Sequence, residues 1–215
     1  TCGTESKEGE HKHTSSEAGA GHAYGVGSVV EDFSLTHATD GESKSLSSLA
    51  GEKGVALVFW NQDCPFVQEA QDRIAEFHNA YKEKGVTVVA VDAGTNNTGD
   101  KVKSHAESLP FPVLLNDDSK IAAKFGATRT PEVFLIDAEN KVRYHGAFDN
   151  GKLQGENATR ESYLKNAADA LLTDGEVKVQ TTKAFGCGLK YAEGVEALPR
   201  HTAESDEAKE DEKKA

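Results

Sequence analysis

An α/β sandwich is the fold class that this sequence predicts, and three observations predict it. Short apolar runs of strand length alternate with helical patterns between residues 25 and 198. Two of the runs, GVALVFW (54–60) and VTVVAVDAG (86–94), are apolar on both faces, as buried central strands are. Between them, from Pro65 onward, Val67, Ala70, Ile74, Phe77 and Tyr81 recur at three- and four-residue spacing with polar residues in the gaps, which is the stripe of an amphipathic helix.

The elements follow in order. EDFSLTHATDGESKSLSSLAG (31–51) has alternating apolar positions at Phe33 and Leu35, a TDGES turn and a short turn of helix around Leu46 and Leu49, so it predicts a hairpin. The buried strand 54–60 and the helix from Pro65, ending at Gly85, come next, then the second buried strand. GDKVKSHAESL (99–109) reads as a further helix before LPFPVLLND, and SKIAAKFGA (119–127) as a short one. TPEVFLIDAENKVRYHGAF (130–148) reads as two strands around an AEN turn, and RESYLKNAADALLTDG (160–175) as a helix with a glycine stop. The predicted order is β-α-β-α-β-β-α after an N-terminal hairpin, with no internal repeat.

Composition narrows the function classes. The chain has 215 residues, 37% hydrophobic content and a formal charge of −12, which suits a single acidic domain with extensions and argues against nucleic acid as a partner. No apolar run approaches the roughly 18–20 residues that span a bilayer. The sequence lacks methionine, so it reads as a processed or trimmed chain. Residues 1–24 form a polar tract, rich in Gly, Ser, Glu and His, that predicts a flexible tether, and Cys2 at its start resembles the lipidated cysteine of a bacterial lipoprotein. Membrane contact is therefore expected only through that anchor, with an exported, periplasmic or cell-envelope location. Residues 199–215 predict a disordered charged tail.

The chemistry centres on FWNQDCPFVQEA (59–70). Cys64 opens a helix, where first-turn N–H groups lack acceptors and the positive end of the macrodipole favours thiolate over thiol. Pro65 fits the first helical position, which needs no N–H. Asp63 opposes the effect, so only a moderate activation of this nucleophile is expected. Trp60 is expected to pack beneath the turn as an apolar wall. The competing reading of Cys64 is a buried structural thiol.

Taken together, EDFSLTHATDGESKSLSSLAGEKGVALVFWNQDCPF (31–66) and RTPEVFLIDAENKVRYHGAF (129–148) resemble the thioredoxin-like superfamily, in its redoxin and thiol-specific-antioxidant branch, over about residues 25–175. The resemblance implies a three-layer sandwich on a central mixed sheet, with the N-terminal hairpin and a C-terminal extension added. It implies that Cys64 is the attacking cysteine, that Pro131 is a cis-proline facing it, and that Thr130 presents backbone groups to a substrate thiol. It implies thiol–disulfide or thiol-dependent peroxidase chemistry, no cofactor, an external thiol reductant, and a disulfide or hydroperoxide substrate.

Two departures shape the expectation. Val67 stands where a C-x-x-C motif carries its second sulfur, so a local disulfide is impossible. Peroxiredoxins carry Thr and Arg where this chain has Asn61 and Pro131; Asn61 can donate a hydrogen bond and Arg129 is two residues from Pro131. TTKAFGCGLKYAEG (181–194), within the segment 177–194, is similar to the terminal Gly-Cys motif of a bacterial redoxin subgroup that also has Cys-Pro-aromatic-Val. In that reading Cys187 resolves oxidised Cys64; a permanent structural disulfide, making a redox-inert binding module, and an unpaired thiol stay open as alternatives. A crosslink closing so long a loop contributes on the order of 4–5 kcal/mol, and needs Cα atoms within about 7 Å. EHKH (10–13) with His22 is a weak candidate for metal binding, while His78, His105 and His145 have no evident partner; no metal site is assigned.

Overall fold

The computed structural model describes residues 21–94, 99–173 and 176–200. Cys2, His11, His13 and most of the 1–24 and 199–215 segments lie outside the described residues. Packing reaches beyond the limits of 25 and 198 expected for the folded part: Ala23 and Tyr24 are buried, and Ala23 N donates to Pro199 O at 3.0 Å.

A seven-stranded mixed sheet forms the middle layer. Ser34–His37 (β1) and Ser43–Ser45 (β2) make the expected hairpin, with Ser34 opposite Ser45. Gly54–Trp60 (β3) and Val86–Asp92 (β4) pair in parallel at the centre, and every residue of β3 is buried. Val113–Leu115 (β5) extends the parallel set, while Glu132–Asp137 (β7) and Val142–Gly146 (β8) run antiparallel beyond β3. The spatial order is β2-β1-β5-β4-β3-β7-β8. Between β5 and β7 the chain adds a second, two-stranded sheet: Arg129–Thr130 (β6) pairs with Cys187–Gly188 (β9) near the C-terminus.

Helices cover both faces because the two-residue period of β3 supplies apolar side chains to both. Ala56, Val58 and Trp60 face a core shared with Pro65–Tyr81 (α2), Gly99–Glu107 (α3) and Tyr163–Leu172 (α5). Val55, Leu57 and Phe59 face the other core, with Leu46–Leu49 (α1) and Lys120–Phe125 (α4). The helix α4 is the short one expected over 119–127, and β5 precedes it in the chain. The predicted stop of α2 at Gly85 is reached through a 3-10 turn over Lys82–Lys84, with Gly85 at φ 97°, a left-handed conformation that suits glycine.

Candidate active site

The end of β3 delivers the chain to Cys64 through a tight turn. Asn61 Oδ1 accepts from Asp63 N at 3.0 Å, and Asn61 O accepts from Cys64 N at 3.0 Å. Asn61 therefore shapes the turn through its acceptors, a different use from the donor role its place in the sequence suggested. Cys64 is the N-cap of α2, with Pro65 at the first helical position, and Gln68 N donates to Cys64 O at 3.0 Å. Its side chain is 2% exposed, in the same core cluster as Trp60, Val67 and Ala70. Trp60 stands edge-on to Phe111 at 5.6 Å between centroids, in that same cluster.

The Thr130–Pro131 peptide bond is cis. Thr130 O lies 3.3 Å from Cys64 Sγ, which brings the strand before the proline onto the sulfur. Thr130 is also the register partner of Cys187 in the β6–β9 pair, so the chain's own β9 occupies the strand edge that the resemblance assigned to a substrate. Cys64 and Cys187 are joined by a disulfide with Cα atoms 6.0 Å apart, across 123 residues of sequence. That separation satisfies the geometric requirement for a bridge.

The two glycines of the FGCG segment (185–188) have different roles. Gly186 sits at φ 135°, and a Cβ there would overlap Thr130 O. Only glycine permits this approach. Gly188 has no such constraint, since its nearest neighbour, Arg129 Nη1, is 3.6 Å from where a Cβ would stand. Arg129 is exposed, and Phe66 and Phe185, 48% and 37% exposed, meet edge-on at 6.1 Å beside the site.

Electrostatics departs from the sequence reading at Asp63. Both of its carboxylate oxygens accept from Lys101 Nζ at 2.8 Å, so the charge opposing a Cys64 thiolate is largely offset. Lys101, on α3, has no sequence signal linking it to Asp63. A second unforeseen group lies behind the cis-proline. Glu132, 3% exposed, accepts from Thr128 N at 2.8 Å and pairs with His145 Nε2 at 3.0 Å. Arg200 Nη1 is 2.9 Å from His145 Nδ1. The same Arg200 Nη1 is 3.2 Å from His145 Nε2. His145 thus has partners that the sequence reading did not assign; the local trace of the group is Glu132 itself, an acidic residue opening the apolar strand run PEVFLID (131–137).

His78 accepts from Val88 N at 3.0 Å and is a satisfied core histidine, its basicity lowered by burial and then by Lys82. Among the described residues no group of three His, Cys, Asp or Glu can hold a metal ion, and no helix is long and apolar enough to cross a membrane.

Residues 26–145 match the AhpC/TSA family model. Over 117 residues the chain is 33% identical to the thiol-disulfide oxidoreductase ResA of Bacillus thuringiensis (strain Al Hakam), an alignment of 54% of this chain and 66% of that relative. The chain therefore spans just under two thirds of the relative's length. An uncharacterized conserved protein from Geobacillus kaustophilus has a similar crystal structure, with TM-score 0.74 and 25% identity over 81% of this chain and 96% of the other. A putative thiol:disulfide interchange protein DsbE from Chlorobium tepidum gives TM-score 0.52 and 25% identity over 70% and 99%. The mixed sheet with helices on both faces is the thioredoxin-like fold of these neighbours.

Proposed function

The chain belongs to the AhpC/TSA family, and from that premise we propose that it is a thiol–disulfide oxidoreductase with Cys64 as nucleophile and Cys187 as resolving cysteine. One observation carries the reading: a disulfide joins a helix-capping cysteine to a distant one, beside Thr130 and a cis-proline. In the reduced protein the Cys64 thiolate attacks a substrate disulfide, bonds to one sulfur and releases the other as thiolate. Cys187 then attacks Cys64 Sγ and expels the second substrate thiolate. The substrate leaves reduced, the protein holds the new disulfide, and an external thiol restores it. Asn61 and Pro65 shape the turn, Trp60 walls the sulfur, and Thr130 with Pro131 and Arg129 forms the binding edge once reduction of the disulfide lets β9 leave it.

We further propose export, with Cys2 as a lipid anchor, because a disulfide of this kind persists in an oxidising compartment. Incorporation of labelled fatty acid that Cys2→Ser abolishes would support the anchor; its retention in that variant would sink it.

The test of the activity is the reduction potential of the Cys64–Cys187 pair together with turnover of a model disulfide, using Cys64→Ser and Cys187→Ser. Turnover that needs Cys64, with a potential above about −300 mV, is expected. A lower potential with no turnover would make the disulfide a permanent staple, and hydroperoxide consumption that needs Cys64 would move the reading to a thiol peroxidase.

A further inference from the structure

The two cysteines of the disulfide are unequally buried. Cys64 is 2% exposed and lies in the core with Trp60, Val67 and Ala70, whereas Cys187 is only half-buried. A thiolate displaces one sulfur by approaching the other from the side opposite the S–S bond, so the choice of target depends on access. Access favours Cys187.

The charge around Cys187 is the second observation. The chain carries −12 overall, yet the exposed ionic residues of 183–190 and Arg129 opposite them are cations, Glu193 being the next carboxylate along the chain. Arg129 faces Gly188 across the β6–β9 pair, with Nη1 3.6 Å from the place of a Gly188 Cβ, one residue from Cys187. Lys183 and Lys190 are exposed on either side of the same segment. None of the three forms an ion pair among the described residues. The carboxylates about the site are engaged: Asp63 with Lys101, Glu69 with Arg73, Asp149 with Arg73 and Arg160, Glu132 with His145. With Arg129, Lys183 and Lys190 unpaired and these four carboxylates engaged, the potential at Cys187 is shifted towards positive.

We propose that the disulfide is reduced by a thiol carrying a carboxylate or sulfonate within a few bonds of its sulfur, that this thiol attacks Cys187, and that Arg129, with Lys190, selects it. The proposal rests on the thiol–disulfide reading above. A guanidinium suits the role, since its planar donors match the oxygens of such an anion. The incoming thiolate bonds to Cys187 Sγ, and the S–S bond breaks with its electron pair on Cys64. The Cys64 thiolate forms at the start of α2, where the first-turn N–H groups have no helical acceptor. A second thiolate attacks the adduct's outer sulfur, releasing the small disulfide and the Cys187 thiolate. Two electrons pass from two thiols to the protein.

The test mixes the oxidised full chain with 2-mercaptoethanesulfonate, 2-mercaptoethanol or cysteamine at low ionic strength, followed by acid quench, alkylation and peptide mapping. Dividing wild-type by variant rates for each thiol cancels intrinsic reactivity. The early adduct is expected on Cys187, with Cys64 alkylated. Arg129→Gln is expected to slow the sulfonate thiol about threefold more than 2-mercaptoethanol, the effect of one unit charge at roughly 6 Å in a water-like dielectric. Adding Lys190→Gln deepens the loss, cysteamine is least affected, and salt erases the differences. An adduct on Cys64, or equal slowing of all three thiols, overturns the proposal while leaving the oxidoreductase reading in place. Failure of every thiol to open the disulfide overturns both.

Discussion

The two cysteines of one disulfide are held by opposite means. Cys64 is placed by regular structure: a fully buried strand, a turn closed by Asn61 and the first residue of a 17-residue helix. Cys187 sits in a strand of two residues, and its position comes from anchors on either side. Upstream, Thr182 N donates to His145 O at 3.1 Å, and downstream Leu189 N donates to Thr128 O at 2.9 Å. Tyr191 Oη follows, donating to Ala127 O at 2.5 Å with Ala122 O a further 3.1 Å neighbour. Residues 183–188 span between these anchors, so Cys187 stays close to Cys64 with few backbone bonds of its own. Damage at the Cys64 turn reaches the core, whereas damage in the Cys187 segment uncouples the disulfide and spares the domain.

The largest effect that would break this comparison is expected at Gly186. Gly186→Ala meets both a left-handed backbone and the Thr130 carbonyl, and is expected to cost about 2–3 kcal/mol in the oxidised protein and to slow disulfide formation. Gly188→Ala, two residues on, stays within about 0.5 kcal/mol. Denaturant melts with thiol titration after reoxidation read both; a Gly186→Ala chain that reoxidises like wild type would mean that close backbone approach does not hold β9.

A smaller effect is expected at the downstream anchor. Burial, reinforced by nearby Glu132, pushes the Tyr191 phenol up to about 12, and Arg200 only partly offsets this. An unfolded tyrosine ionises near 10. The raised folded value makes its contribution to stability fully present below about pH 10 and lost as pH rises toward 12. Tyr191→Phe is expected to cost about 1 kcal/mol at neutral pH, through its hydrogen bonds, and to remove this share of the alkaline loss. Melts at pH 7 and 11 check both; an unchanged alkaline loss in Tyr191→Phe would remove the anchor from the account.

The smallest effects sharpen the Cys64 side. Lys101→Gln uncovers the Asp63 charge and should slow alkylation of reduced Cys64 by about two- to threefold, while Asp63→Asn should speed it by a similar factor. Both changes should vanish at high salt, because the pair is about half exposed. Changes of the same sign in the two variants would show that the ion pair acts through structure rather than charge.

Much of this was legible in the chain. The periods of 54–60 and 65–81 are local signals, and a cysteine before proline at a strand-to-helix junction carries its chemistry in its neighbours. Glycines flank Cys187 in the sequence on both sides, and nothing in it tells that Gly186 is the one that close approach requires. The pairing of β6 with β9, the Lys101–Asp63 ion pair and the Glu132–His145–Arg200 group were not legible, since each joins residues from separate elements.

The sequence by itself determined the α/β class, the helix that begins at Cys64 and the absence of a second sulfur at residue 67. Those depend on periodicity and on backbone chemistry within a few residues. Only the tertiary structure decided that Cys187 reaches Cys64, that Cys64 is the more buried residue of the pair, and that unpaired cations flank the other. Those depend on how strands far apart in the chain are brought together, and a one-dimensional pattern of apolar and polar residues does not encode which of two distant cysteines is the more deeply buried.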